Sequence, residues 1–132
     1  MTSRVKKRVI SLVCVFLVFA VIAPVALARY QYIESLGYSA YKYQGKIAFS
    51  ADCQGNTNVN CVEIVLIVQY WNGSKWVNVD EDYSCSYGTY GILFFSYQPT
   101  MDGDYRGRVY FTAHHSMGFE DVPTYTNVVT WS

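Results

Sequence analysis

Residues 61–82, CVEIVLIVQYW-NGSK-WVNVDED, decide the fold. The first run is rich in β-branched side chains and too short for a typical helix, which favours a strand. Its even-numbered positions, 62 to 70, are all apolar, so we expect one face of this strand in the core. Asn72-Gly73 readily adopts the positive φ angles of a tight turn, which predicts a hairpin. Trp71 and Trp76 flank that turn as a cross-strand aromatic pair.

Two other stretches, residues 46–53 and 105–113, alternate between apolar and polar side chains, which predicts two more half-buried strands. The side chains predicted to point inward are Ile47, Phe49, Ala51, Cys53, Tyr105, Gly107, Val109, Phe111 and Ala113. We expect further strands over residues 30–43, 91–98 and 122–131, loops over residues 54–60 and 114–121, and a loop with a short strand over residues 83–91. About seven short strands and no helical period predict an all-β antiparallel sandwich.

The stretch GDYRGRVYFTA, residues 103–113, carries a family resemblance. A glycine two residues before Tyr105, followed by alternating Val and Ala, resembles the tyrosine corner of immunoglobulin-like and fibronectin-III-like sandwiches. The resemblance implies that the Tyr105 phenol binds upstream backbone. Gly107 and Arg108 stand where antibody domains carry a core cysteine, so that inter-sheet disulfide is absent. The combination of an N-terminal signal peptide, a hairpin over residues 71–77 and the stretch GDYR at residues 103–106 is similar to small secreted sandwich proteins of Gram-positive bacteria. This resemblance implies no active-site residue.

The amino-terminal segment predicts export. Four basic residues among positions 4–8 precede an apolar run over residues 9–23, and Ala26 and Ala28 mark a cleavage site. We therefore predict a signal peptide over residues 1–28, a mature domain over residues 29–132 and a secreted, extracellular protein. The alternative is an uncleaved membrane anchor, because the apolar run approaches the ~20 residues that span a bilayer. After cleavage no membrane partner is expected.

Removal of residues 1–28 changes the charge balance. The whole chain has 10 basic and 10 acidic residues, and four of the basic residues lie in that segment. The remaining 6 basic and 10 acidic residues give a formal net charge of −4. A nucleic-acid partner needs a basic surface, so none is predicted.

Three cysteines follow the predicted signal peptide: Cys53, Cys61 and Cys85. Outside the cell, one disulfide and one free thiol are the default expectation. We favour Cys53–Cys61, because a short connection brings the ends of consecutive strands together. Cys61–Cys85 is the alternative, since a hairpin in which Trp71 faces Trp76 would place Cys61 opposite Ser86 and near Cys85.

No residue pattern indicates catalysis. His114 and His115 are adjacent, so on a strand they point to opposite faces and cannot both bind one metal. If the strand has already ended, Glu120 and Asp121 nearby would complete a zinc or copper site, but a solvated loop is the favoured interpretation. The acidic run at residues 80–82 lacks the spacing of a calcium loop, and no Gly-x-Ser-x-Gly motif is present. We expect no enzyme activity, no cofactor and no metal.

The aromatic residues predicted to lie on outward faces are the candidates for function. Trp71, Trp76 and Tyr110 would form a ligand-binding surface for an extracellular polymer or protein. One flat exposed strip of these three rings would indicate sugar binding. A second hypothesis is a small secreted effector or bacteriocin-like protein, and a small secreted enzyme is the least favoured.

Overall fold

The computed structural model describes residues 30–132. The predicted signal peptide, residues 1–28, lies outside the described residues. Residues 30–132 form eight strands: β1 (Ile33–Tyr43), β2 (Lys46–Gly55), β3 (Val59–Trp71), β4 (Trp76–Tyr87), β5 (Tyr90–Tyr97), β6 (Gly103–His115), β7 (Gly118–Tyr125) and β8 (Val129–Trp131). None of the described residues belongs to a helix able to cross a bilayer.

The strands form two antiparallel sheets. One has three strands in the order β1-β2-β5. The other has five strands, with the order β4-β3-β6-β7 and β8 paired to β6. Strand β3 is therefore hydrogen-bonded on both sides, to β4 and to β6.

The predicted two-residue alternation is confirmed, because every side chain predicted to point inward in β2 and β6 is buried. In β3, the even positions from Val62 to Val68 are at most 1% exposed. Buried side chains from both sheets form one hydrophobic cluster, which makes the fold sandwich-like. Burial of each large apolar side chain contributes about 1.5–3 kcal/mol.

A glycine allows close packing at the centre of this core. A Cβ atom on Gly107 would lie 2.8 Å from Leu66 Cδ1 and 3.1 Å from Phe49 Cδ1. Gly107 is on β6, and Phe49 is on β2 in the opposite sheet. The Phe49 ring thus occupies the space beside Gly107, and packing of this ring against β6 joins the two sheets there.

Tyr105 ties the start of β6 to both sheets. Its side chain is fully buried, and its hydroxyl donates to the Met101 carbonyl oxygen at 2.8 Å. Its ring centroid lies 4.9 Å from that of Tyr70 and 5.6 Å from that of Tyr97. Burial raises the pKa of Tyr105, and the hydrogen bond to Met101 opposes that rise.

Side-chain hydrogen bonds also connect the edges of the two sheets. Asn127 Oδ1 accepts from Ala40 N at 2.9 Å, and Asn127 Nδ2 donates to Ala40 O at 2.8 Å. On the opposite side, Ser84 Oγ donates to the Ile92 carbonyl oxygen at 2.9 Å. Strand β1 is thus connected to the segment between β7 and β8, and β4 to β5.

Several strands are longer than predicted. The predicted loop over residues 54–60 shortens to residues 56–58, and residues 83–91 lie mostly within β4 and β5. The predicted loop over residues 114–121 is a two-residue turn between β6 and β7, and residues 122–131 divide between β7 and β8. These segments are polar because they lie at the sheet surface. Their backbones still pair with neighbouring strands, which composition does not reveal.

The hairpin register was predicted correctly at its turn and is shifted beyond it. Trp71 faces Trp76 as expected. A β-bulge opposite Val68 and Gln69 leaves Val79 unpaired, and such an insertion moves the rest of the strand by one residue. Cys61 consequently faces Tyr87, one residue beyond its predicted partner.

We expect Tyr105→Phe to lower the free energy of unfolding by about 1 kcal/mol, because ring packing is kept and one hydrogen bond is lost. Urea denaturation measures this difference. Tyr110→Phe is the control, since it removes the same hydroxyl from a half-buried ring on the outer side of the same strand. An equal loss of stability in both variants would contradict a role for the bond to Met101.

Candidate functional site

The outer face of the five-stranded sheet is the side directed away from the core. Alternation along each strand decides which side chains it carries. On β3 these are Cys61, Glu63, Val65, Ile67 and Gln69, and on β6 they are Arg106, Arg108, Tyr110, Thr112 and His114. Two groups of side chains on this face have chemistry that core packing does not require.

The first group is a row of alternating aromatic rings and guanidinium groups, here called the aromatic–arginine ladder. Its members are Trp71, Trp76, Arg106, Tyr125, Arg108 and Tyr110. The Arg106 guanidinium carbon lies 4.2 Å from the Trp76 ring centroid and 4.1 Å from that of Tyr125. The Arg108 guanidinium lies 5.0 Å from the Tyr110 centroid and 5.8 Å from that of Tyr125. These separations are within the range of cation–π attraction.

The buried amide group of Gln69 holds the ladder in place. Arg106 Nε donates to Gln69 Oε1 at 2.9 Å, and Gln69 Nε2 donates to Asn78 Oδ1 at 3.0 Å. Gln69 is only 6% exposed, so water competes weakly for these hydrogen bonds. The Arg106 side chain is thereby fixed before any partner arrives.

The three predicted ligand-binding rings do not form a flat strip. The Trp71 and Trp76 centroids are 5.5 Å apart, but their planes are inclined by 57°. Trp71 is 37% exposed, whereas Trp76 and Tyr110 are half-buried. The structure brings Trp71 and Trp76 together and connects them to Tyr110 only through the rest of the ladder.

Sequence analysis did not identify Arg106, Arg108 or Tyr125 as site residues. The alternation of Arg106, Arg108 and Tyr110 along β6 was a usable signal, because it places all three on one face. Alternation along β6 could not predict the place of Tyr125 beside the two arginines, since that place depends on the pairing of β7 with β6.

The second group, here called the thiol cluster, consists of Cys61, Glu63, Cys85 and His114. The sulfur atoms of Cys61 and Cys85 are 3.5 Å apart, and both cysteines are free. Donor atoms of Cys61, Glu63 and Cys85 lie within 4.8 Å of one another. His114 Nε2 lies 3.4 Å from Glu63 Oε1. Three potential metal ligands thus lie close together, and His114 lies beside one of them, Glu63, outside that set.

Desolvation, hydrogen bonding and neighbouring charge together raise two pKa values in this cluster. Partial desolvation, a hydrogen bond with Cys85 and the charges of Cys85 and Glu63 raise the pKa of Cys61 to about 11. A hydrogen bond with Cys85, partial desolvation and the same two charges raise the pKa of Tyr83 to about 12. Both groups therefore stay protonated at neutral pH unless a cation approaches.

The predicted disulfide partners, Cys53 and Cys61, lie on different sheets. Cys53 is on β2, is fully buried in the core and is free. Cys61 is on the outer face of the other sheet, where its neighbour is Cys85. The structure therefore brings together the cysteine pair that sequence analysis ranked second. Burial, followed by the charges of Asp52 and Glu120, raises the pKa of Cys53 to about 11.

His114 and His115 point in different directions, as expected for neighbours on a strand. His115 stacks on Tyr32, with ring centroids 3.7 Å apart and planes inclined by 13°. Its Nδ1 atom accepts from Met117 N at 3.3 Å. His115 therefore contributes to packing, and only His114 belongs to the thiol cluster.

Comparison with known proteins gives no assignment: no protein-family model matches the chain, and no curated protein is similar to it. The geometry of the outer face is the remaining source of functional information. It offers a fixed surface of Trp, Tyr and Arg, and a compact set of sulfur, oxygen and nitrogen donors.

We expect Arg106→Gln to lower the free energy of unfolding by about 1–2 kcal/mol, because two ring contacts are lost and the bond to Gln69 is weakened. Trp76 should gain contact with water, so tryptophan emission should shift to longer wavelength. Denaturation and fluorescence spectra measure both effects. Lys75→Gln, at the exposed hairpin turn, removes the same charge and should change neither quantity.

We expect the fold to lose stability as the pH rises from 9 to 11. In this window the unfolded chain releases the Cys53 proton at its ordinary pKa of 9.0, whereas the folded chain holds it to about 11. The folded state then binds more protons than the unfolded state, so the free energy of unfolding decreases as the pH rises. Urea denaturation should show a smaller decline for Cys53→Ala than for the unaltered protein. Equal declines would contradict this account.

Proposed function

We propose that this protein is a secreted, non-catalytic sandwich of immunoglobulin-like or fibronectin-III-like type that binds a protein partner outside the cell. Two features support the family type. Strands β1, β2 and β5 face a sheet containing β4, β3, β6 and β7, an order of the kind found in such domains. The Tyr105 hydroxyl binds backbone four residues upstream, as a tyrosine corner does. Export rests on the predicted signal peptide.

The aromatic–arginine ladder is the observation that carries the binding proposal. Trp, Tyr and Arg dominate the energetically important residues of protein interfaces. Both arginines of the described residues belong to the ladder. Trp71 and Tyr125 remain 37% and 46% exposed, so a partner can bury them further. Because Gln69 already orders Arg106, little conformational entropy remains to be lost on binding.

A protein partner is favoured over a polysaccharide. Sugar rings stack on flat, open aromatic faces, whereas guanidinium groups lie against the Trp76 and Tyr125 rings. The inclined planes of Trp71 and Trp76 also provide no common platform. A protein surface can instead contact ring edges and accept hydrogen bonds from the guanidinium groups through carbonyl or carboxylate oxygens.

The test is to express the full 132-residue chain, recover the exported form and identify its cross-linked neighbours by mass spectrometry. Binding of the purified neighbour is then measured for single variants. We expect Trp71→Ala to raise Kd at least tenfold, about 1.4 kcal/mol. Tyr43→Ala is the control, because Tyr43 is 51% exposed on the other sheet.

Equal weakening by Trp71→Ala and Tyr43→Ala would contradict a role for the ladder. Retention on a glycan array, lost in Trp71→Ala, would contradict a protein partner and indicate a carbohydrate. Hydrolysis of a substrate by the exported protein would contradict the non-catalytic assignment.

A further inference from the structure

We propose that the thiol cluster is a binding site for one zinc-type divalent metal ion. Cys61 and Cys85 supply thiolate sulfur, Glu63 supplies a carboxylate oxygen, and His114 supplies Nε2. The proposal reverses the sequence-based expectation of no metal, and it holds whether or not the aromatic–arginine ladder binds a partner.

The strand register places these four residues as two neighbouring cross-strand pairs. Cys61 on β3 faces His114 on β6, and Glu63 on β3 faces Cys85 on β4. Cys61 and Glu63 are two residues apart, so both point to the outer face. The ligand atoms are thus carried by hydrogen-bonded strands rather than by loops, which holds their mutual positions more exactly.

Two of the ligand separations match those of a tetrahedral metal centre, whereas His114 lies outside the set of donor atoms within 4.8 Å of one another, so its ring would have to approach the sulfur atoms on binding. With metal–sulfur bonds of about 2.3 Å, two thiolates at the tetrahedral angle lie about 3.8 Å apart. The observed separation of the Cys61 and Cys85 sulfur atoms is 3.5 Å. For nitrogen and oxygen ligands at about 2.1 Å, the expected separation is about 3.4 Å. His114 Nε2 and Glu63 Oε1 are 3.4 Å apart.

The His114 side chain offers a donor atom that nothing in the described protein satisfies. Its Nε2 atom is buried and has no hydrogen-bond partner, because the nearby Glu63 oxygen does not lie in hydrogen-bond geometry. Buried polar atoms without a partner are rare in native proteins, and an ion at the site is one established reason for them. A metal between Glu63 and His114 would satisfy this atom.

The charge of the cluster also favours a cation. Within residues 30–132, no lysine or arginine nitrogen lies within 4 Å of the Glu63 carboxylate. The Glu63 carboxylate therefore has no lysine or arginine among these residues to neutralise it, which leaves its charge available to a divalent ion. Binding would release the thiol protons, as metal binding to cysteine does. The Tyr83 phenol, hydrogen-bonded to Cys85, would orient that thiolate.

The ligand types select the metal class and its role. Two sulfur ligands with one nitrogen and one oxygen suit zinc and disfavour magnesium or calcium, which prefer oxygen ligands. Four protein ligands leave no open position for substrate, which is typical of structural zinc sites. The ion would therefore join β4, β3 and β6 at one end of the outer face.

A Cys61–Cys85 disulfide is the competing outcome, and the register disfavours it. The two residues are diagonal neighbours, because Cys61 faces Tyr87 while Cys85 faces Glu63. Diagonal residues on paired strands are roughly 7–8 Å apart between Cα atoms, whereas a disulfide requires about 4.4–6.8 Å. A direct sulfur–sulfur bond would therefore draw β3 and β4 closer together, but a bridging metal would not.

Cobalt(II) is the probe, since it occupies zinc sites and absorbs visibly when tetrahedral. Protein purified after expression of the full chain is reduced, freed of metal and titrated with Co²⁺, then with Zn²⁺. We expect one equivalent to produce a thiolate-to-cobalt charge-transfer band that Zn²⁺ abolishes. Cys85→Ser should remove this band, and Glu63→Gln and His114→Gln should each weaken cobalt binding at least about tenfold.

Two matched controls complete the design. His115→Gln replaces the neighbouring histidine, and Asp121→Asn replaces an exposed carboxylate outside the cluster. Both variants should bind cobalt as tightly as the unaltered protein does. Three results would overturn the proposal: no charge-transfer band in the reduced protein, equal loss of binding in the controls, or a Cys61–Cys85 disulfide in the protein as first purified. Mass spectrometry of the intact chain and its peptides detects the last.

Discussion

The double pairing of β3 is the constraint on which the rest of the structure depends. This strand is hydrogen-bonded to β4 along one side and to β6 along the other. Its even positions fill the core, and its odd positions carry the outer face. Because strand side chains alternate with a period of two, a slip of one residue would exchange these sets. Core packing therefore fixes the outer face as firmly as it fixes the fold.

The two groups on the outer face occupy opposite ends of β3. Near the hairpin turn, Gln69 connects Arg106 of β6 to Asn78 of β4. At the other end, Cys61 and Glu63 lie between Cys85 of β4 and His114 of β6. Each end thus has polar side chains that join the same three strands. A metal at one end would complement the amide chain at the other, and the face between them would be held flat against the core.

The sequence predicted those parts of the structure that local alternation determines. The two-residue period of apolar side chains predicted the inward positions of β2 and β6. The turn dipeptide Asn72-Gly73 predicted that Trp71 faces Trp76. The bulge at Val79 was not predicted, because its neighbours are polar on both sides and no local signal marks it. The polar ends of β4 and β6 were predicted to be loops for a related reason. The hydrogen-bond partners of their backbone groups lie on strands that are distant in sequence.

The candidate sites were harder to predict than the core, since they depend on several strands at once. Cys61 and Cys85 were expected near each other, but the unforeseen bulge set their diagonal relation. His114 was weighed with His115 because the two are adjacent in sequence, whereas its true neighbours are Cys61 and Glu63 on β3. The stacking of Arg106 requires Trp76 and Tyr125, which flank it from β4 and β7. Pairing between distant strands is information that a single sequence expresses only weakly.

The amide of Asn127 has a consequence for behaviour at high concentration. Strand β1 ends its sheet, so the outward backbone groups of Ala40 would ordinarily be available to a strand from another molecule. Asn127 presents one acceptor and one donor to these groups, as an adjoining strand would. The backbone of Ala40 is thereby unavailable to a strand from another molecule, so one asparagine interrupts this tyrosine-rich edge as a template for intermolecular β-pairing.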